Sequence, residues 1–395
     1  MRVGTVRVKD AGRRDSGAAG RQIELGDLIP QSPLLPSSPA APLPILDQRA
    51  RGTTFIRLPV RSVLNNPAST GMGFWSINPY VGCEFGCTYC YARDTHRWTM
   101  ERRGSGAAGQ TGSNSTPEEI TASEQTAPPS RRPAALPAWE AFEREILVKE
   151  EVAEVLARTL KPAQVAGHTL VIGTATDPYQ PAERQFRLTR RILEVLRSYH
   201  GLSIGIITKS PLITRDLDLL QALSQRHEVS VNISLATADR RLARRLELRS
   251  PIPEARLRAL RRLTQGGVYA GLLVAPIIPG ITDDWAGLAR LIEAAKEAGA
   301  RYVVGSALRL GPAARHRFLP LLEQEFPELA ERYRRHYAGK DHVSQSYQDA
   351  LTRRLRALQQ AFGFSVDEGR RRRRQLEEPA PRKDATKIDK QEVLL

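Results

Sequence analysis

All three cysteines of this 395-residue chain lie within eight residues, in the pattern C-x3-C-x2-C formed by Cys83, Cys87 and Cys90. Three thiols this close together are a poor disulfide framework, because any pairing leaves one of them over. Thiolates at small spacings are typical ligands of iron–sulfur clusters, and Gly82 and Gly86 give the loop a flexible backbone. The pattern has no fourth cysteine. A cluster held here therefore keeps one coordination position open for a substrate or cofactor.

Three other interpretations of the cysteines stay open at this point. A structural zinc site needs a fourth ligand, which His96 would supply six residues beyond Cys90, although C-x3-C is an unusual spacing for zinc. A redox pair of Cys87 and Cys90 leaves Cys83 unexplained. The third interpretation is inert structural cysteines. No cysteine lies outside the loop, so the sequence predicts no second, auxiliary iron–sulfur cluster.

Short apolar segments alternate with amphipathic segments along the middle of the chain. Such alternation is typical of βα units with a parallel sheet, whose ligands bind at the carboxyl ends of the strands. Six units are too few for a closed eight-stranded barrel. We therefore predict an α/β fold with a partial (β/α)6 barrel, the alternative being a flat, doubly wound sheet. The predicted strands are 76–80, 169–174, 202–208, 228–235, 269–278 and 302–308, and the main predicted helices are 183–200, 214–226, 284–299, 313–337 and 344–362.

The composition divides the chain into a core and several flanking segments. Residues 1–52 and 365–395 are predicted to be disordered arms, and a low-complexity insertion is expected at about 103–137. The core then spans 53–310, and a helical extension spans 311–364. Lys and Arg total 59 against 43 acidic residues, which permits a polyanionic partner such as nucleic acid. No apolar run is long enough to span a membrane, so we expect a cytoplasmic protein.

The motif strings of this chain resemble one enzyme superfamily. The sequence NPYVGCEFGCTYCYAR, followed by TATDPYQPAE, ITKSPLITRDLDLL and VAPIIPGITD, is similar to the radical SAM superfamily. Within it, the strings resemble the bacterial branch grouped with spore photoproduct lyase and related "DNA repair photolyase" proteins. The resemblance implies that Cys83, Cys87 and Cys90 hold a [4Fe–4S] cluster whose fourth iron binds S-adenosylmethionine (SAM). It further implies that reduced flavodoxin or ferredoxin supplies an electron, and that SAM is cleaved to a 5′-deoxyadenosyl radical for hydrogen abstraction.

The resemblance also implies residues that contact SAM. Tyr89 matches a position against the adenine, Lys209 one near the SAM carboxylate, and Ser234 a polar position beside the ribose or methionine. Ile278 belongs to a strand end that packs against the adenine. The superfamily often has a Gly-Gly-Glu-like motif after the second strand. This chain departs from it, so the candidates there are Thr174, Thr176 and Asp177, of which Asp177 is equally suited to cap a turn.

Two further groups of residues are expected near the barrel mouth. The predicted rim consists of Asp94, His96, Tyr179, Gln180, Arg249 and Arg256, because they follow strand ends. His96 or Tyr91 is a candidate relay for protons or hydrogen atoms, and no catalytic residue is assigned. Spore photoproduct lyase uses a separate cysteine as its hydrogen donor, and this chain has no cysteine besides the three of the loop. The alternative function is a non-catalytic nucleic-acid-binding protein with a structural iron–sulfur or zinc site.

Overall fold

The computed structural model describes residues 45–48, 52–70, 73–94, 136 and 138–365. Its main feature is a seven-stranded sheet in the order β11-β10-β9-β8-β7-β4-β3, in which only the β3–β4 pair is antiparallel. A second sheet of four strands has the order β1-β2-β6-β5. The strands are β1 Ile45–Gln48, β2 Thr54–Arg57, β3 Leu64–Asn65, β4 Trp75–Ile77, β5 Tyr80–Val81, β6 Glu145–Val148, β7 Thr169–Ile172, β8 Ser203–Thr208, β9 Glu228–Ser234, β10 Ala270–Ile277 and β11 Val303–Ala307.

The six parallel strands of the large sheet confirm the predicted series of βα units. Strands β4 and β7–β11 correspond one to one to the six segments predicted from the sequence. Strands β7 to β10 each carry fully buried side chains, for example Ile172, Ile206, Ile233 and Val274. Burying side chains of this size stabilises the fold by about 1.5–3 kcal/mol each. Within the described residues, β3 and β11 are the two edges, so the fold is an open, partial (β/α)6 barrel.

Helices cover the sheet and fill the carboxyl-terminal part of the chain. They are α1 Pro67–Thr70, α2 Ala138–Arg144, α3 Val152–Thr159, α4 Pro162–Val165, α5 Glu183–Phe186, α6 Leu188–Arg197, α7 Leu217–Ser224, α8 Arg240–Leu246, α9 Pro253–Gln265, α10 Trp285–Glu297, α11 Pro312–Glu325, α12 Pro327–Tyr337 and α13 Gln345–Ala361. A 3₁₀ helix at Pro211–Asp216 precedes α7. Among the described helices, none is both long enough and apolar enough to cross a membrane.

Three helix predictions were partly wrong: two predicted helices are each broken in two, and a third begins later than predicted. The helix predicted at 183–200 is two helices, because Arg187 adopts a left-handed conformation with φ of 52° and the Glu183 carboxylate accepts a hydrogen bond from the Thr189 N–H at 3.0 Å. The helix predicted at 313–337 breaks before Pro327, whose ring disfavours a helical conformation at the preceding residue. The helix predicted at 214–226 begins only at Leu217, after the 3₁₀ turn.

The four-stranded sheet was missed, and it changes two predictions. Residues 45–48 were assigned to the N-terminal arm, but they form β1 because they pair with β2 as an antiparallel hairpin. The strand predicted at 76–80 ends at Ile77, and Tyr80–Val81 belongs to the smaller sheet, where it pairs with β6. The first cysteine therefore follows a strand of the smaller sheet. The remaining residues of both predicted arms and nearly all of the predicted insertion lie outside the described residues.

Candidate metal and cofactor site

The cysteine loop begins where β5 ends, and two glycines shape it. Gly82 and Gly86 have φ values of 89° and 63°, a region that favours glycine. A Cβ at Gly82 would lie 2.8 Å from the Phe142 carbonyl oxygen of α2, which is too close for any side chain. The same carbonyl accepts a hydrogen bond of 2.8 Å from the Cys83 N–H. The loop is thus pressed directly against the backbone of α2.

Residues that follow β7 hold the first half of the loop. Thr176 Oγ1 donates to the Gly82 carbonyl oxygen at 2.6 Å, and Gln180 Nε2 donates to the same oxygen at 3.2 Å. The Gln180 side-chain oxygen accepts a hydrogen bond from the Glu84 N–H at 2.9 Å, and the Glu84 carboxylate accepts one from the Ala182 N–H at 2.7 Å. These contacts tie the smaller sheet to the carboxyl edge of the large one.

The segment after α8 holds the second half of the loop. Cys87 pairs with Glu247 in an isolated antiparallel bridge, and both the N–H and the hydroxyl of Thr88 donate to the Leu246 carbonyl oxygen at 3.0 Å. The Ser250 hydroxyl lies 3.4 Å from the Cys87 sulfur. The middle cysteine is therefore fixed by backbone and side-chain contacts from a segment about 160 residues away in sequence.

Arginine side chains cover the outside of the loop. Arg93 donates to the Cys87 carbonyl oxygen at 3.0 Å and pairs with the Glu143 carboxylate. Arg249 donates to the Glu84 carbonyl oxygen at 2.6 Å and pairs with Glu143 at 2.5 Å. Burial by itself would raise the pKa of Glu143, but these two guanidinium groups hold it below its usual value. Glu143 is thus a charged anchor for the loop.

Lys209, Tyr89 and Glu247 form a charged cluster next to Cys87. The Lys209 ammonium lies 5.7 Å from the centre of the Tyr89 ring, and the Tyr89 hydroxyl donates to the Glu247 carboxylate. Burial by itself would lower the pKa of Lys209, but the negative charges of Cys87 and Glu247 outweigh it and raise the pKa. Lys209 is thus a permanent cation beside the thiols. Sequence reasoning identified Lys209 and Tyr89 but missed Glu247.

The other predicted cofactor contacts gather at the same carboxyl edge, and the protein already uses their polar groups. Asp177 accepts hydrogen bonds from the Thr208 hydroxyl and the Lys209 N–H, both at 2.7 Å, and from the Tyr179 N–H at 2.9 Å. It thus caps the turn after β7 and joins that turn to the end of β8. Burial raises the pKa of Asp177, while these hydrogen bonds oppose the shift. The Thr174 hydroxyl contacts the Asn78 side chain.

Ser234 and Ile278 lie at the ends of β9 and β10. The Ser234 hydroxyl donates to the Ala275 carbonyl oxygen at 3.1 Å. Ile278 is fully buried, and its N–H donates to the Thr282 hydroxyl at 2.8 Å. Ile278 packs in one apolar cluster with Cys83, Cys87, Tyr89 and residues of α11 and α12. The structure therefore brings every predicted contact residue to the same edge as the cysteines.

Most of the predicted rim residues are instead buried. Tyr179 and Gln180 have no exposed surface and Arg256 is 2% exposed, so that prediction was wrong for these three. Gln180 holds the loop at Gly82, and Arg256 neutralises the Glu247 carboxylate. Asp94 caps α11 by accepting from the Ala313 N–H at 2.7 Å. Arg249 is exposed, as predicted. His96 lies outside the described residues.

Tyr91, the other candidate relay, lies against the turn that follows β7. Its hydroxyl donates to the Thr174 carbonyl oxygen. Burial raises the pKa of Tyr91 to about 12, and the neighbouring Cys90 adds to the shift. The Tyr91 hydroxyl therefore keeps its proton at neutral pH.

The thiols themselves fit a metal cluster. All three are free cysteines, with Cys83 and Cys87 buried and Cys90 partly exposed. Burial raises the pKa of Cys83 well above its usual range and that of Cys87 to about 11, although Lys209 opposes the latter shift. Thiolates at such positions need a cation to offset their charge, which a bound metal supplies. Among the described residues, no three His, Cys, Asp or Glu side chains converge closely enough to hold a single ion. Three free thiols in one loop are a donor set that fits an iron–sulfur cubane, with one thiolate for each of three irons.

The site is an open parallel α/β barrel with three free thiols at its carboxyl edge, and comparisons with known proteins specify the family. A sequence profile of the radical SAM superfamily matches residues 77–292, more than half of the chain. An uncharacterized protein of Mycobacterium tuberculosis is 31% identical over 318 residues, covering 80% of this chain and 83% of the relative. An uncharacterized protein of Methanocaldococcus jannaschii is 28% identical over 218 residues, covering 55% and 66%. The chain belongs to the radical SAM superfamily, whose members are enzymes.

Solved structures support the same fold. A spore photoproduct lyase mutant aligns with a TM-score of 0.51 and 15% identity, covering 78% of this chain and 79% of that chain. A second mutant of the same enzyme, with AdoMet and dinucleoside spore photoproduct bound, aligns with a TM-score of 0.50 over the same shares of the two chains. At this identity the likeness concerns the fold alone.

Proposed function

We propose that this protein is an enzyme that binds one [4Fe–4S] cluster through Cys83, Cys87 and Cys90, and SAM beside it. The observation that carries the proposal is the position of three free thiols at the carboxyl edge of the sheet, next to the half-buried Lys209. When bound, the cluster and SAM supply a 5′-deoxyadenosyl radical that removes a hydrogen atom from the substrate. The protein itself has to bind and orient the cofactors and the substrate and to exclude water.

The chain's own residues suit these tasks. Lys209 provides a half-buried cation for the carboxylate of SAM, which must be paired once water is excluded. The Tyr89 ring and the Ile278 side chain provide apolar surface for the adenine beside the thiols. Thr176 and Asp177 keep the loop and the strand ends in place through hydrogen bonds to Gly82 and Lys209. A direct contact with SAM is proposed for Thr174 and Ser234, whose hydroxyl groups also accept hydrogen bonds.

The proposal is tested with protein purified and reconstituted without oxygen. We expect close to four irons and four sulfides per chain and 5′-deoxyadenosine when dithionite and SAM are added. Cys83→Ala, Cys87→Ala and Cys90→Ala should each abolish both results. Thr88→Ser is a matched control in the same loop, because it keeps the hydroxyl that donates to Leu246. A wild-type protein that takes up zinc alone and leaves SAM intact would reject the proposal.

The proposal extends to the substrate class and the electron donor. Spore photoproduct lyase has been solved with a dinucleoside photoproduct bound, and this chain carries a net charge of +16, so nucleic acid is the substrate class we propose. Deuterium transfer from labelled oligonucleotides into 5′-deoxyadenosine tests it. Repair by a cysteine relay is not expected, because all three cysteines are assigned to the cluster. Reduced flavodoxin or ferredoxin is the proposed donor.

A further inference from the structure

A shallow surface groove lies on the outer side of the cysteine loop. It is formed by α8, the start of α9 and the segment between them, and its lining includes Glu247 and Ser250. Both residues contact Cys87: Glu247 forms an isolated backbone bridge with it, and the Ser250 oxygen lies 3.4 Å from the Cys87 sulfur. One layer of side chains therefore separates the middle thiol from the floor of this groove.

The rim of the groove is positively charged. Arg240 and Arg244 line it, and both are exposed; Arg244 is steadied by a hydrogen bond of 3.0 Å to the Leu248 carbonyl oxygen. Arg249, next to Ser250 in the sequence, does not line the groove, and its guanidinium is paired with Glu143. Glu247, the acidic residue of the lining, is buried and paired with Arg256, so it offers no negative charge to a partner. The groove therefore combines a positively charged rim with a short distance to the Cys87 thiol.

We infer that this groove, bounded by Arg240 and Arg244, is the docking surface for an acidic protein that carries a one-electron donor. The inference rests on the proposed function, because only a redox cluster at Cys87 needs such a partner. The donor loses one electron and the cluster gains it, with no bond made or broken. Charge complementarity would steer the acidic partner to the rim and orient its redox group toward Ser250.

The matched pair of double variants for the test is R240E/R244E and R258E/R261E. Both change the charge equally, and Arg258 and Arg261 are exposed on α9 outside the groove lining. The probe is a flavodoxin. Its affinity for each protein is measured in the oxidised state at low and high salt, and it is then used in reduced form to drive 5′-deoxyadenosine formation. Dithionite, which needs no docking surface, drives the same reaction in parallel.

We expect R240E/R244E to bind flavodoxin at least about tenfold more weakly and to lose flavodoxin-driven turnover in proportion, because like charges then face each other. Its dithionite-driven turnover should equal that of wild type, and R258E/R261E should behave as wild type throughout. Equal flavodoxin affinity in both double variants would overturn the inference, and so would an equal loss with dithionite. If R240E/R244E loses only the binding of a DNA oligonucleotide, the groove is a nucleic-acid surface and the inference is wrong. Failure of wild type to cleave SAM with dithionite would instead reject the proposed function.

Discussion

Tyr89 and Glu247 are 158 residues apart in the chain, and the Tyr89 hydroxyl donates a hydrogen bond to the Glu247 carboxylate. The other oxygen of the same carboxylate pairs with Arg256, and both of those side chains are 2% exposed. Arg256 in turn donates to the Ser234 carbonyl oxygen at 3.0 Å, at the end of β9. Glu247 thereby links the aromatic residue of the cysteine loop to the sheet edge.

Replacing Glu247 with Gln should make the cluster easier to reduce. The substitution removes a negative charge from the surroundings of Cys87 while Lys209 and Arg256 stay positive, so the reduction potential should shift to more positive values. Potentiometry followed by electron paramagnetic resonance measures the shift. Glu254→Gln, an exposed acid of α9, is the control. A potential equal to wild type would show that Glu247 acts only as a structural support.

Glu247→Ala tests the structural part of the same contact. It leaves the Arg256 guanidinium buried without its carboxylate, which typically costs about 3–5 kcal/mol of unfolding free energy. We expect a lower urea midpoint for the cluster-free protein than with Glu247→Gln, whose amide oxygen still accepts a hydrogen bond. Equal midpoints for the two variants would contradict this account.

Replacing Lys209 with Met should weaken SAM binding without loss of iron. The stem of the side chain is kept and only the cation beside the thiols is removed. A charge-assisted hydrogen bond contributes about 1.5–3 kcal/mol, so we expect about 10- to 100-fold weaker binding of SAM to the reconstituted protein. Lys296→Met is the matched control, because that exposed ammonium contacts the carbonyl oxygen of Gly363 and the Phe364 ring. If the variant binds SAM as tightly as wild type does, Lys209 does not contact SAM.

The sequence predicted the parts of this fold that have a strong local signal. Four of the parallel strands, β7 to β10, have apolar residues buried at successive or alternate positions, and all six predicted strands were found. The cysteine spacing and the position of Lys209 after β8 can likewise be recognised within a short stretch of sequence. The smaller sheet was missed because β1 and β2 are only four residues long and β5 only two, so alternation could not be recognised.

The residues that hold the cysteine loop in place cannot be recognised from any local sequence pattern. Glu247 follows an Arg-rich helix, where an acid is indistinguishable by sequence from a surface ion-pair partner, yet it is buried under the loop. Thr176 and Gln180 were placed near the cofactor or on the rim, and the structure uses both to hold Gly82. Such roles depend on which residues the fold brings together from distant positions, and a single sequence does not contain that information.

The backbone of the cysteine loop predicts a difference between two glycine substitutions. Gly82 and Gly201 both have positive φ, 89° and 69°, so Ala at either position should cost about 1–2 kcal/mol of unfolding free energy. At Gly82 the new Cβ also meets the Phe142 carbonyl oxygen at 2.8 Å, whereas nothing lies within 4 Å of a Cβ at Gly201. We expect Gly82→Ala to be clearly less stable in urea than Gly201→Ala and to incorporate less iron. Equal effects would mean that the loop does not press on α2.

The stability of the fold should fall in mild acid because of His227. This buried ring accepts the Leu202 N–H on Nδ1 at 3.1 Å, so Nε2 carries the proton and contacts the Leu196 carbonyl oxygen at 3.0 Å. Burial lowers the pKa of His227 below its usual value of about 6.5. Below pH of about 6.5 the unfolded chain therefore takes up a proton before the folded one does, and the unfolding free energy decreases until the folded pKa is reached.

His227→Gln keeps an acceptor and a donor but does not titrate. Urea unfolding of wild type and His227→Gln between about pH 5 and pH 8 should show a smaller pH dependence for the variant, and parallel curves would show that His227 does not contribute to it.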